Sequence, residues 1–176
     1  INDLVENKKV NYIVLYYIAH GNIEYMSVGG TGFNASQLET LMASYPGVKF
    51  ILFVETCHGG SWRDYFRDLS PRLLNLKMVI ASTSRDQGAY PDWDVAHGQT
   101  DVNGNDDQWI EFTSDFPLKM EYYTSEAHWG EVTGLTFPAF DNNILRLFWL
   151  CYQRAQNDSW ILPQNTGHQS PQIFYP

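Results

Sequence analysis

The sequence predicts an α/β protein built on a mostly parallel sheet, and three observations carry that expectation. Two apolar runs, Tyr12 to Ala19 and Phe50 to Val54, each stop at a short polar motif that contains glycine. A stretch with helical apolar spacing, Ala35 to Tyr45, lies between them, and a third apolar run, Lys77 to Ala81, follows. Continuous apolar runs of this length, ended by turn residues, suit strands buried on both faces of a parallel sheet. Strand, crossover helix and strand make a βαβ unit, which is right-handed almost without exception.

Bulk properties narrow the function classes. The 176 residues suffice for one domain with a real core, and a hydrophobic fraction of 44% with 15% aromatics suits a packed globular chain. A net charge of −9 argues against a nucleic-acid binder, which normally carries a basic stripe, and suits a cleft that attracts cationic groups. Two cysteines, Cys57 and Cys151, make no disulfide framework and no zinc-ligand spacing. No apolar stretch reaches the length of a membrane span, so no membrane partner is expected. The first residues have neither the cationic start nor the apolar core of a secretion signal.

Taken in order, Ile1 to Asn7 reads as the last turns of a helix. A chain that opens on a helix end immediately before a strand is expected of a fragment or a processed subunit. The strand Val10 to Ala19 follows, then a glycine-rich loop or short hairpin from Asn22 to Asn34. In the helix Ala35 to Tyr45, Leu38, Leu41 and Met42 share a face. Ser36 is placed to cap it with Glu39 three residues on, and Pro46-Gly47 ends it. After the strand to Cys57, Ser61 to Leu69 reads as a short helix stopped by Ser70-Pro71, and Lys77 to Ala81 as the third strand. Residues 87–115 form a long acidic loop or insertion within the single domain. Trp109 to Tyr123 looks helical, with a weak point at Pro117. Asp141 to Asn157 is the clearest helix, with Ile144, Phe148, Cys151 and Ala155 on one stripe and Asp141 as its cap. The tail, Ser159 to Pro176, has three prolines and no period, and is expected to wrap the surface.

The chemistry lies at two strand ends. One strand ends on His20-Gly21 and another on Cys57, followed by His58-Gly59-Gly60. The carboxyl ends of parallel strands are where open α/β sheets place their ligands. If these strands are neighbours, roughly one to two strand spacings of about 4.8 Å separate the two side chains. A thiol to attack and an imidazole to move protons make a nucleophilic pair. The backbone N–H groups of Gly21 and Cys57 are the natural donors to the oxyanion that forms. A lone cysteine in an apolar run is ordinarily a small core residue, and a lone histidine is ordinarily structural. Two of them, each ending a strand and each close to glycine, carry more weight. Cys151, mid-helix on an apolar stripe, is assigned to the core. His58 is expected to point away from the pair, and His97, His128 and His168 have no supporting pattern.

Tyr16 to Gly21 (YYIAHG) and Glu55 to Gly60 (ETCHGG) resemble the His-Gly and Asp/Glu-x-Cys signatures of caspase-like cysteine peptidases, most closely the legumain and metacaspase branches. KMVIASTS, from Lys77, is similar to the strand after the nucleophile in legumain-like proteins. Ser170-Pro171-Gln172 is similar to a C-terminal Thr-Pro-Gln segment of bacterial members. The chain departs in having Gly59 where metacaspases usually show Ser, and in lacking the fold's first strand, first helix and second strand. The resemblance implies a caspase-like αβα sandwich and peptide-bond hydrolysis through a thioester on Cys57. His20 would be the general acid/base, with no third orienting residue, and the amides of Gly21 and Cys57 would form the oxyanion hole.

Glu55 matches the acidic position that lines the specificity pocket in these branches. A carboxylate there pairs with Arg or Lys before the scissile bond, or accepts from an Asn amide. Ser84, Asp86, Asp92 and Asp94, just past the next strand, are candidates for the same pocket, though the bland reading of each aspartate is a solvated loop charge. An Asp-directed pocket is disfavoured because no arginine falls at a matching position. Asn103, Asn105, Asp107 and Glu111 alternate as oxygen ligands do in a calcium loop, with Ile110 at the eighth place. Gln108 at the sixth place and Ser114 at the twelfth make it a degraded one. Calcium is therefore the only cofactor the sequence suggests, and none is required.

The expected partners are a peptide or protein substrate, together with a partner chain or a preceding segment that completes the sheet. Two rival readings remain at this point. One is a catalytically silent caspase-like scaffold or binding domain. The other is a different α/β hydrolase or amidotransferase, which needs its histidine downstream, as at His168.

Overall fold

In a computed structural model of the chain, the described residues are 1–89, 111–136, 142–158 and 171–175, with the side chains of 111–115 and 156–158 left aside. The chain divides into two compact units, Ile1–Ala89 with Ser170–Pro176, and Tyr90–Gln169.

The first unit holds a four-stranded sheet, with a three-stranded antiparallel sheet as an excursion between its first two members. The elements are α1 (Asn2–Glu6), β1 (Tyr12–Ile18), β2 (His20–Asn22), β3 (Tyr25–Val28), β4 (Thr31–Asn34), α2 (Ala35–Ala43), β5 (Lys49–Glu55), α3 (Gly60–Asp68), β6 (Leu76–Ala81) and β7 (Gln172–Phe174). β1, β5 and β6 run parallel, and β7 pairs antiparallel with β6. Six of the seven residues of β5 are buried, as its unbroken apolar run requires of a central strand.

One face of this sheet packs on α2 and α3. Phe50, Leu52, Val54 and Val79 meet Leu38 and Met42 of α2 and Trp62 and Phe66 of α3 in one core cluster. The i, i+4 spacing within each helix puts both of its apolar residues on the sheet-facing side. Phe33 of β4 extends the cluster with edge-on contacts to Tyr17 and Trp62, at centroid distances of 5.2 and 5.8 Å. On the opposite face Ile51, Phe53, Met78 and Ile80 are also fully buried, whereas Val14, Tyr16 and Ile18 of β1 are exposed.

Several local expectations are corrected. Of the two readings of Asn22 to Asn34, the short hairpin holds, as β3 and β4, and β2 extends it to a three-stranded sheet. Strand β1 is shorter than Val10 to Ala19, ending at Ile18 because the chain turns into the small sheet at His20. Helix α2 is capped by Asn34, not Ser36: Asn34 Oδ1 accepts the Gln37 N–H, and Gln37 Oε1 accepts the Asn34 N–H. This reciprocal box satisfies two backbone donors at the helix start. Part of the tail is β7 rather than surface wrapping.

The second unit contributes three helices among the described residues: α4 (Glu111–Thr124), α5 (Trp129–Thr133) and α6 (Asn143–Asp158). Pro117 lies inside α4 without ending it. Along α6 the buried set is Leu145, Leu147, Phe148, Cys151, Tyr152 and Ala155, while Ile144 is exposed and leaves the stripe. Asn142 Oδ1 accepts the Leu145 N–H and so caps α6, and Asp141 lies outside the described residues. No helix among the described residues is long and apolar enough to cross a membrane.

Candidate active site

The parallel pairing of β1 with β5 carries the site. Ile18 is in register with Glu55, and the ladder runs one step further, with the Ala19 N–H donating to Glu55 O at 3.1 Å. His20 comes two residues beyond that register pair, where the chain leaves the carboxyl edge of the sheet for β2. The two motifs touch. A Cβ on Gly21 would overlap Thr56 Oγ1 and lie 2.8 Å from Tyr25 O. Glycine follows His20 because Thr56, the residue before Cys57, and the returning β3 strand occupy the space a side chain needs.

His20 is exposed and Cys57 half-buried. Around the cysteine the backbone is tightly held. Thr83 Oγ1 accepts the Gly59 N–H at 2.9 Å and donates to Thr56 O at 3.0 Å, tying the turn after β5 to the end of β6. The His58 N–H donates to Gln87 O at 2.7 Å, and His58 Nδ1 lies 2.8 Å from Arg85 O, so the ring is its donor. The His58 ring is directed at the turn that holds Arg85. The Cys57 N–H, unlike those of His58 and Gly59, makes no hydrogen bond among the described residues, which leaves it available as an oxyanion donor. The Ala89 N–H donates to Cys57 Sγ at 3.3 Å.

Glu55 is fully buried, and Tyr16 Oη donates to its Oε2 at 3.1 Å. Tyr16 stacks on Phe53, with centroids 4.2 Å apart, so both groups sit on one face of the sheet. One step beyond the Val54–Ala81 pair, the β6 residue beside Glu55 is Ser82. Ser82 is fully buried, and its hydroxyl makes no hydrogen bond among the described residues. Sequence reasoning missed it. Its signal was present in the two parallel runs, since aligning Glu55 with the end of the third strand selects Ser82 before Ser84. Ser84 lies instead in the following turn, where its backbone packs against Gly60, and Asp86 is exposed on the same turn.

Asp92, Asp94, Asn103, Asn105 and Asp107 lie outside the described residues, as does the side chain of Glu111 at the start of α4. Among the described residues no group of three or more His, Cys, Asp or Glu side chains is arranged to hold a metal ion. His97 and His168 also lie outside them. His128 pairs with Glu131 at 2.9 Å and stacks on Tyr122, away from the strand ends in sequence and in unit.

No family model and no curated protein matches the sequence. Among solved structures, the chain is similar to the crystal structure of caspase-1 from Spodoptera frugiperda, with a TM-score of 0.54 and 12% identity. The match covers 94% of this chain and 60% of that one. The fold is therefore caspase-like, a mixed α/β architecture on a mostly parallel central sheet.

Proposed function

We propose that the chain is a cysteine-type endopeptidase domain of the caspase-like group, on the legumain and metacaspase side of it. The observation that carries the reading is the contact of Gly21 with Thr56, which brings His20 and Cys57 to one edge of the sheet. Cys57 Sγ attacks the carbonyl carbon of the scissile bond while His20 accepts the thiol proton. The Gly21 and Cys57 amides hold the oxyanion. Collapse of that intermediate expels the amine, which takes the proton back from His20, and leaves a thioester on Cys57. Water, deprotonated by His20, then releases the acid and restores the thiol.

Glu55 is the specificity group of this reading. A carboxylate accepts from the guanidinium or ammonium of a substrate Arg or Lys, and next from an Asn amide. Asp86, Asp92 and Asp94 belong to the same proposal as outer charges, and calcium at 103–111 as an accessory ion. The edge of β1 is unpaired on one side among the described residues, and Val14, Tyr16 and Ile18 are exposed beside it. That supports a further strand, from a partner chain or another segment, completing the sheet. The silent-scaffold reading is favoured by one observation, the complete burial of Glu55.

Hydrolysis of fluorogenic peptides ending in Arg, Lys, Asn or Asp, with and without calcium, decides between them. Cleavage after Arg or Lys that vanishes in Cys57→Ala is the expected result. Cleavage only after Asn keeps the enzyme and moves it toward legumain-type specificity. No cleavage by folded protein leaves the scaffold.

A further inference from the structure

Three features converge on the turn between Ser84 and Ala89. It carries the N–H that reaches the cysteine sulfur, from Ala89 at 3.3 Å. It is gripped by His58, the residue after that cysteine, through the His58 N–H to Gln87 O and Nδ1 to Arg85 O. His58 does this with a left-handed backbone, at φ +60°, which is uncommon outside glycine, although asparagine, aspartate and histidine tolerate it better than most. The grip is reinforced from outside: a Cβ on Gly60 would lie 2.6 Å from Arg85 N, and Arg85 pairs with Glu24 at 3.6 Å and Asp64 at 4.0 Å.

From this geometry we infer that His58 is a positioning residue, whose ring fixes the 84–89 turn so that the Ala89 N–H is held on Cys57 Sγ. The inference rests on Cys57 being the reactive nucleophile. A backbone N–H aimed at sulfur interacts more strongly with a thiolate than with a thiol, and the thiolate is the form that attacks. Little bulk is added by the preceding position: Gly88 has no side chain, and even a Cβ there would sit at 3.9 Å from Sγ, ordinary contact distance. The N–H therefore supports the sulfur more than it covers it. Strain at residue 58 is the cost of aiming both its N–H and its ring at one turn.

Alkylation of the native chain with iodoacetamide, followed by mass spectrometry at each cysteine, tests this without a substrate. Buried Cys151 reports loss of folding in the second unit in the same sample, and near-UV circular dichroism reports it for the whole chain. His58→Gly keeps the left-handed backbone and deletes the ring, whereas His58→Asn keeps that backbone and supplies a side-chain N–H donor. Cys57 is expected to react about tenfold more slowly in His58→Gly and within about threefold of wild type in His58→Asn. Equal or faster alkylation in His58→Gly overturns the inference, since the turn would then be neutral or a cover. If Cys151 reacts in His58→Gly, Ala89→Pro decides, because it removes the N–H itself. Slower alkylation of Cys57 there supports the inference, and an unchanged rate overturns it.

Peptide hydrolysis by the wild type separates the two ideas. Absent hydrolysis with slowed alkylation leaves the positioning intact and removes the peptidase. Cys57-dependent hydrolysis with unchanged alkylation removes the positioning alone.

Discussion

The two cysteines of this chain have the same side chain and opposite surroundings. Cys57 ends a central strand, half-buried, with a backbone N–H on its sulfur and a histidine-bearing strand end beside it. Cys151 lies inside α6, fully buried, where desolvation pushes its thiol up to about 12. Burial in apolar surroundings penalises the thiolate, so Cys151 is kept as an inert space-filling thiol. Reactivity is thus assigned by position in the fold, with the sheet edge supplying polar partners that a helix interior does not.

The sharpest way to break the comparison is to delete each thiol. Cys57→Ala is expected to lower peptide hydrolysis by about 10⁴-fold or more, since a nucleophile has no substitute in covalent catalysis. Cys151→Ala is expected to leave kcat/KM within about twofold, because nothing ties it to the reacting groups. Equal losses in the two variants, at equal folded fraction, would dissolve the distinction. The same assay separates the histidines. His20→Ala should cost about 10²- to 10⁴-fold with an unchanged Tm, as an exposed general acid/base does. Loss of activity in His168→Ala, with His20→Ala active, would instead point to a different cysteine hydrolase.

A smaller effect is expected at the contact that joins the two motifs. Gly21→Ala places a methyl group where Thr56 Oγ1 and Tyr25 O already stand. Overpacking of this kind costs typically about 1–3 kcal/mol, and here it also displaces an oxyanion donor. Thr56→Ala in the same chain removes the hydroxyl but leaves Tyr25 O, so it should restore part of the lost stability. A Gly21→Ala variant as stable and active as wild type would mean that the His20 strand end is not packed as described.

What was legible in the sequence follows the range of the interaction that decides it. The central strands and the order of motifs were legible because an apolar run ended by a polar turn is a local pattern. The positions of His20 and Cys57 just past such ends were legible for the same reason, while their roles belong to the proposed function. The small sheet of β2, β3 and β4 was legible only as a hairpin that a loop rivalled, and β2 was not. Its strands have three or four residues each and alternate too briefly to separate from a loop. The cap of α2 was misplaced by two residues because Asn34, Ser36 and Gln37 all offer capping chemistry, and only the backbone at Asn34 selects among them. Ser82 and the grip of His58 depend on register and on a turn from another strand, neither of which is a property of neighbouring residues. The caspase-like resemblance reached the fold correctly, and the branch within it stays part of the proposed function.

The smallest effect belongs to the buried cysteine and concerns stability alone. The folded thiol of Cys151 is raised to about 12 while the unfolded one titrates near its ordinary value of 9.0. Below that lower value both states hold the proton, and the group contributes no slope. Above it the unfolded chain ionises while the fold keeps a neutral thiol, so stability falls as pH climbs from about 9 towards about 12. Tyr65, also raised to about 12 by burial and its bond to Glu39, and Tyr17, raised by burial, add alkaline slopes of the same sign. Comparison with Cys151→Ala cancels their contributions. That variant should lose about 1–2 kcal/mol at neutral pH, from the vacated volume, and show a shallower decline in alkaline denaturant titrations. Parallel curves for the two proteins across that range would mean that Cys151 is not the sequestered thiol against which Cys57 is compared.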